Sequence, residues 1–169
     1  MKNFFTSAFI LISFGINAQP EIPQEEYFDF WIGEWDLTWD DGDGTIGTGK
    51  NTITRVLGEK VIQENFEGLT GKNKGFIGKS WSVYNPQLQK WQQTWVDNQG
   101  AYLDFKGQFE GDNRIFIRNF TGPKGNEIWQ RMVFKDIKPD SFTWDWETSQ
   151  DGGDNWTLRW RINYKRNQM

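Results

Sequence analysis

The stretch FDFWIGEWDLTW at residues 28–39 determines how the rest of the chain is interpreted. It opens with an aromatic cluster, passes through one glycine, and then alternates strictly between apolar and polar side chains. Trp35, Leu37 and Trp39 fall on one side of an extended chain, and charged or hydroxylated residues fall on the other. Period-two alternation of this kind predicts a β-strand with one dry and one wet face. We therefore expect the first strand of a barrel, with Trp35 closing one end.

Turn signals follow this strand at short, regular intervals, and no convincing amphipathic helix lies between them. Glycine and asparagine supply positive φ angles, and proline sets the first turn position. The nine turn signals lie at residues 40–44, 57–58, 68–75, 85–86, 97–100, 111–113, 121–123, 138–140 and 151–154. Strands at this spacing favour an antiparallel meander, and closure removes its exposed edges. The predicted fold is all-β: a single antiparallel up-and-down barrel of about eight to ten strands.

The N-terminus has the composition of a secretory signal peptide. A short basic start precedes an uncharged apolar run at residues 4–16, and small-residue cleavage chemistry ends at Ala18. The run is well short of the roughly 20 residues that a membrane-spanning helix needs. No cysteine follows it, which excludes a lipid anchor on cysteine. We predict a signal peptide at 1–18, a short mobile leader at 19–26 and a barrel domain at 27–169. The mature protein is then secreted or periplasmic.

Composition excludes several function classes. The chain has no cysteine and no histidine, which rules out disulfides, thiolate nucleophiles, Ser-His-Asp triads and histidine-ligated haem. Its net charge is −4 and it has no basic run, so nucleic acid is not an expected partner. The acidic turn at residues 40–43 lacks the distal glutamate of an EF-hand loop, so we predict a solvated turn. No metal site and no cofactor are predicted, and the oligomeric state stays open.

The alternation also predicts which side chains point inward. Strands 114–120 and 127–135 carry apolar residues on both faces, so their orientation is left open. The clear inward sets are Leu103, Phe105, Gly107 and Phe109, then Phe142, Trp144 and Trp146, then Trp156, Leu158, Trp160, Ile162 and Tyr164.

The strand at residues 90–98 is the best candidate to carry chemistry, because Trp91, Gln93, Trp95 and Asp97 share one face. A buried polar group costs a few kcal/mol unless it is hydrogen-bonded, so such groups must satisfy each other, hold water or meet a ligand. Two structural alternatives stay open: Asp97 is the first residue of a turn, and Glu64 is paired with Arg55 or Lys79. The predicted ligand-binding residues are Trp81, Gln93, Trp95, Asp97, Glu64, Trp144 and Trp160.

Three functions fit this pattern. The first is an extracytoplasmic protein that binds a partly apolar small molecule in a tryptophan-lined cavity. The second is a cofactor-free isomerase, cyclase or lyase, in which Glu64, Asp97 or Glu34 acts as acid or base with a pKa raised by burial. The third is a solidly packed barrel that serves as an envelope interaction module.

Gly33-Glu34-Trp35 resembles the Gly-x-Trp signature of the lipocalins and their calycin relatives. The resemblance implies that Trp35 packs at the closed end of the barrel and that an arginine of the last strand lies across it. Arg159, Arg161 and Arg166 are the candidates for this cation–π contact.

More closely, the chain is similar to a family of secreted bacterial lipocalin-like proteins that is catalogued as a domain of unknown function. Nitrobindin-like barrels bind haem through a histidine, which this chain lacks. The matching features are the opening Phe30-Trp31-x-Gly33-Glu34-Trp35, Gly75 and Gly78 before Tyr84-Asn85, Trp95-Val96-Asp97 followed by Gly100, and the closing Ile162-x-Tyr164-x-Arg166.

A local match concerns one turn. Ser149, Asp151, Gly153 and Trp156 have the spacing of the Asp-box seen in sialidase hairpins. The resemblance implies that the aspartate accepts backbone hydrogen bonds across the turn and that the tryptophan packs beneath it. We interpret the motif as a structural turn device and not as a sign of glycosidase activity.

Overall fold

The computed structural model describes residues 22–167, so the predicted signal peptide and residues 19–21 of the leader lie outside the described residues. Ten strands form one closed antiparallel barrel, in which neighbours in sequence are neighbours in space and the first strand pairs with the last. The prediction of an all-β, up-and-down barrel is confirmed. The strands are β1 (Gly33–Asp40), β2 (Ile46–Val56), β3 (Val61–Gly68), β4 (Ile77–Asn85), β5 (Lys90–Asp97), β6 (Tyr102–Glu110), β7 (Asn113–Thr121), β8 (Glu127–Lys138), β9 (Ser141–Ser149) and β10 (Thr157–Arg166).

Short 3-10 helices at Gln24–Glu26 and Asp29–Trp31 plug the end of the barrel where β1 begins. Phe28 is fully buried there, stacked on Phe116 at 4.6 Å and edge-on to Trp91 at 5.0 Å. Trp91 also donates from Nε1 to the carbonyl of Gln24 over 2.7 Å. The described part of the predicted mobile leader therefore contacts the barrel, and one end of the barrel is closed.

Arg166 is the arginine that lies across Trp35, with its guanidinium carbon 4.2 Å from the indole centroid. The two residues are paired between β1 and β10. A Cβ on Gly33 would meet Arg166 Nη1 at 2.3 Å, so the glycine makes room for the guanidinium. The other two candidate arginines lie elsewhere. Arg161 points outward and donates to Asp145, and Arg159, at the irregular position of β10, is exposed and donates to Thr148.

β10 contains a β-bulge, and this corrects two predicted orientations. The pairing with β9 shifts between Leu158 and Trp160, so the alternation changes phase at that point. Trp160, Ile162 and Tyr164 point inward as predicted. Leu158 instead lies on the outer face with 44% of its surface exposed. Trp156 precedes the strand and packs outside the barrel under Arg131, at 4.0 Å.

Strand pairing gives the orientation of β7 and β8, the two strands whose inward faces the sequence leaves open. Phe116 lies opposite Gly107 on β6 and Met132 on β8, so Phe116 and Met132 point inward. Ile115 and Val133 face each other on the outer side, yet both are buried. At this level of the barrel, apolar side chains on both faces of the two strands are buried.

The turn between β9 and β10 has the hydrogen bonds expected of an Asp-box. Asp151 accepts from the hydroxyl of Ser149 over 2.6 Å and from the backbone N–H of Asn155 over 3.0 Å. Ser149 in turn accepts from the backbone N–H of Gly153, whose φ is +99°. The motif holds a turn at the rim of the open end.

Candidate ligand-binding cavity

A cavity of about 290 Å³ lies between the plugged end and the open end of the barrel. Its floor is Trp31 from the plug, and its rim includes Asp97 from the end of β5 and Phe76 from the segment before β4. Strands β3, β5, β6, β8, β9 and β10 supply the remaining wall residues. This volume is at the lower end of the roughly 300–1,000 Å³ range of ligand pockets.

The wall formed by β9 and β10 is aromatic. Trp144 and Trp146 stack at 6.4 Å with an interplanar angle of 7°, and Trp160 stands edge-on to Trp144 at 5.9 Å. Phe66 contacts both Trp160 and Trp95, which continues the aromatic lining towards β5. The alternation of β9 and the bulge of β10 together bring these rings to one side of the cavity.

A hydrogen-bonded polar layer connects β2, β3 and β4 with Tyr164 of β10. Glu64 on β3 accepts from Asn51 Nδ2 over 2.7 Å and from the hydroxyl of Ser80 over 2.6 Å. Asn51 also donates to the hydroxyl of Tyr164 over 3.1 Å. All four residues are buried, and Glu64 and Tyr164 line the cavity.

Glu64 is a buried carboxyl without a cationic partner among residues 22–167. Its predicted partners are engaged elsewhere: Arg55 pairs with Asp29, and Lys79 is exposed on the outer face. Burial raises the pKa of Glu64 to about 7, against the opposing effect of the hydrogen bonds from Ser80 and Asn51. The group therefore exchanges its proton near neutral pH. Burial also raises the pKa of Tyr164, which stays neutral.

Asp97 is both a turn residue and a cavity residue. Its Oδ1 accepts from the backbone N–H of Gln99 and Ala101, while Oδ2 accepts from Trp95 Nε1 over 2.9 Å. Burial acts to raise the pKa of Asp97, but these hydrogen bonds outweigh it and lower the pKa. A negative charge therefore stays fixed at the rim. Gly78 leaves space for the Trp95 ring, which would lie 1.9 Å from a Cβ at that position.

Two indole N–H groups of the cavity residues are unpaired. Nε1 of Trp31 and Nε1 of Trp160 are buried without a hydrogen-bond partner among the described residues. Buried donors are nearly always satisfied in folded proteins, so each such group needs an explanation. Both nitrogens are enclosed in the packed wall and have no accessible surface on the cavity.

The structure brings Glu64, Trp95, Asp97, Trp144 and Trp160 together around the cavity, as the sequence predicts. Three other predicted site residues do not line the cavity. Trp81 is 37% exposed on the outer face of β4, because Ser80 and Ser82 are the inward residues. Gln93 points inward but binds Ser82 and does not line the cavity. Glu34, a candidate acid or base, is exposed on the outer face of β1.

The sequence interpretation missed Trp31, Asn51, Ser80 and Trp146 as site residues. Trp146 shares the predicted inward face of Trp144, so the alternation already contained its position. Trp31 lies before the first strand, and nothing in the alternation places a pre-strand residue under the cavity. Asn51 and Ser80 have the composition of surface positions, and only their pairing with β3 places them beside Glu64.

No described helix is long and apolar enough to cross a membrane.

No family model matches the chain, and no curated protein matches its sequence. Among solved structures, the chain is similar to a de novo designed fluorescence-activating β-barrel, with a TM-score of 0.45 and 12% identity over 87% of this chain and 100% of that one. A redesigned β-barrel is also similar, with a TM-score of 0.42 and 12% identity over 85% of this chain and 96% of the other.

Proposed function

We propose that this protein binds a small, largely apolar molecule in the barrel cavity. The observation that carries the proposal is the composition of the cavity wall, in which aromatic rings predominate and a few polar groups lie around Glu64. Ligand pockets have this form, in which apolar walls supply affinity and a few convergent polar groups fix orientation. The volume of about 290 Å³ favours a ligand of one or two rings.

The N-terminal sequence supports an extracytoplasmic location, since residues 1–18 have the order of a signal peptide. The Gly-x-Trp opening and the contact of Arg166 with Trp35 support kinship with lipocalin-like barrels. On this proposal, the protein is a secreted or periplasmic binding protein. Mass spectrometry of the protein secreted by its natural host tests the location, because a mature chain that starts near Gln19 is expected.

The binding proposal is tested by filling the cavity. Leu103→Trp adds a large ring at the cavity wall near the open end, and we expect it to weaken binding of any screened ligand at least tenfold. Trp81→Ala is the matched control, since it removes a tryptophan from the outer face of the same barrel. Isothermal titration calorimetry measures both. Equal affinity of Leu103→Trp and the parent for every ligand found would refute the cavity as the site.

A second function is favoured by one observation, the titration of Glu64 near neutral pH within the cavity. A carboxyl of this kind removes a proton from carbon and returns it. Isomerisation, cyclisation and elimination fit this chemistry without a cofactor. Turnover that survives Glu64→Gln would end this alternative.

A further inference from the structure

The charged groups that line the cavity are both carboxyls. Glu64 lies in the polar layer and Asp97 at the rim, and no lysine or arginine of residues 22–167 lines the space between them. The chain as a whole is acidic, with a net charge of −4. A cavity with these charges favours a positively charged ligand over a negatively charged one.

Asp145 is a buried carboxylate that lies away from the cavity, and it is paired with cationic side chains. Its side chain is fully buried on the outer side of β9 and binds two cations, Arg161 at 2.7 Å and Lys135 at 2.5 Å. Among the described residues, Asp145 and Glu64 are the two buried carboxyls. Glu64 has only neutral hydrogen-bond partners. Among the described residues it therefore lacks a counter-ion, whereas Asp145 has two.

The aromatic rings that line the same cavity provide the second half of a cation site. Trp144 and Trp160 stand nearly perpendicular, at 85°, and Trp95 and Phe66 continue the aromatic lining. Indole faces attract ammonium groups through their quadrupole, and several rings around one space are the usual recognition site for alkylated ammonium groups.

We propose that the ligand of this cavity is a small organic cation: an amine on an apolar ring or short chain, whose charge is held by Glu64 and the tryptophan faces. This rests on the proposed binding function and names its ligand class.

Binding of a cation requires the ionised form of Glu64. The titratable or charged groups around it are Tyr164, which shares Asn51 as a hydrogen-bond partner and stays neutral, and Asp97, which stays ionised at the rim. Arg118 lies behind the cavity wall on the inward face of β7, 5.9 Å from the Phe105 ring, where it donates to Gln130. Since the pKa of Glu64 is raised to about 7, a cation that binds at pH 6 displaces the Glu64 proton. Affinity for the cation is therefore expected to rise with pH from 5.5 to 8.

Matched pairs of probes test the proposal: 2-phenylethylamine with 2-phenylethanol, and 2-(2-naphthyl)ethylamine with 2-(2-naphthyl)ethanol. Each pair differs in charge and hardly in shape. By titration calorimetry at pH 8 we expect at least one amine to bind tenfold or more tightly than its alcohol. At pH 5.5 the advantage is expected to shrink about tenfold, with proton release visible as a dependence of the heat on buffer.

Glu64→Gln keeps the side-chain length and removes the charge, and it is expected to abolish the advantage of the amine while alcohol binding is retained. Glu67→Gln, on the exposed face of the same strand, is the control and is expected to leave all affinities unchanged. Alcohols that bind as tightly as amines, or amine binding that Glu64→Gln leaves intact, would overturn the cation proposal and leave the binding function standing. If no probe binds with a Kd below about 1 mM, both proposals fail.

Discussion

At the closed end, one side chain joins three segments that are far apart in the sequence. Arg166 donates from Nε to the carbonyl of Pro139, and from its two Nη atoms to the carbonyls of Ile32 and Phe30. The same guanidinium covers the Trp35 ring. A planar fork with several donors suits this arrangement, and lysine would not reproduce it.

Arg166→Met is expected to lower the free energy of unfolding by about 2 kcal/mol or more, because partly buried carbonyls lose their donors and Trp35 loses its cation. Urea denaturation followed by fluorescence measures the change. Arg159→Met, at an exposed position of the same strand, is the control and should change stability by less than about 0.5 kcal/mol. Equal effects of the two substitutions would contradict the role given to Arg166.

Glu64 makes the stability of the protein depend on pH. Because its folded-state pKa is raised from 4.5 to about 7, the folded protein binds this proton more tightly than the unfolded chain does. The stability that this adds is fully present below pH 4.5 and is lost as pH rises through about 7.

The free energy of unfolding of Glu64→Gln should therefore rise relative to that of the parent between pH 4.5 and pH 7, by an amount on the order of a few kcal/mol at most. Urea titrations of the two proteins at several pH values give the difference directly, since the contributions of other groups cancel. Glu67→Gln should follow the parent. Parallel curves for the parent and Glu64→Gln across this range would show that Glu64 titrates normally.

The cavity residues that the sequence predicted are those whose hydrophobicity and alternation agree. Trp95, Trp144 and Trp160 belong to this group. On β4 the two signals conflict, since the apolar residues Trp81 and Val83 point outward and the small polar residues Ser80 and Ser82 point inward. Alternation separates two faces but does not say which one is inside. Here a serine is required inside because it donates to Glu64, a residue that is 16 positions away.

At the scale of elements, turns were predictable and bulges were not. All nine turn signals lie between consecutive strands, since glycine, asparagine and proline act on the local backbone. The bulge of β10 leaves no local signal, because it follows from the pairing with β9. It carries Leu158 to the outer face and leaves Trp160 at the cavity. The outward position of Trp156 was missed for the same reason.

The Asp-box between these two strands is expected to stabilise the hairpin through Asp151. Asp151→Ala removes the acceptor for the Ser149 hydroxyl and for the Asn155 backbone N–H, and it should lower Tm by a few degrees. Asp154→Ala changes an exposed aspartate of the same turn and is the control. Thermal unfolding followed by circular dichroism compares them. An unchanged Tm in Asp151→Ala would mean that the turn forms without the motif.

At the scale of the whole molecule, the barrel and its strand order could be predicted because period-two patterns and turn spacing are local properties of the chain. The cavity could not be derived in the same way. Its floor comes from Trp31 in the N-terminal plug, and its polar wall comes from the neighbouring strands β2, β3 and β4, to which closure of the barrel adds Tyr164 of β10. The closed barrel also has incomplete ladders, which no local pattern indicates.

Two of the incomplete ladders lie at the open end of the barrel, and a third leaves residues 107–110 of β6 without partners on β5. β6 and β7 pair from Lys106 to Glu110, so residues 102–105 and 118–121 lack partners in each other. The pairing of β1 with β10 likewise ends at Thr38 and Asn163. Local opening is easiest where backbone hydrogen bonds are fewest, and both gaps lie at the end where Asp97 forms the cavity rim. A ligand would therefore enter between β6 and β7.

Hydrogen exchange measured by mass spectrometry tests this asymmetry. Peptides that cover residues 102–105 and 118–121 should exchange about tenfold faster than residues 143–147, which are paired on both sides with β8 and β10. The lower half of β7 serves as the internal control, because residues 114–117 belong to the same strand and pair with both β6 and β8. Uniform protection along β6 and β7 would contradict preferential opening between these two strands, and it would place ligand entry at the open end of the barrel instead.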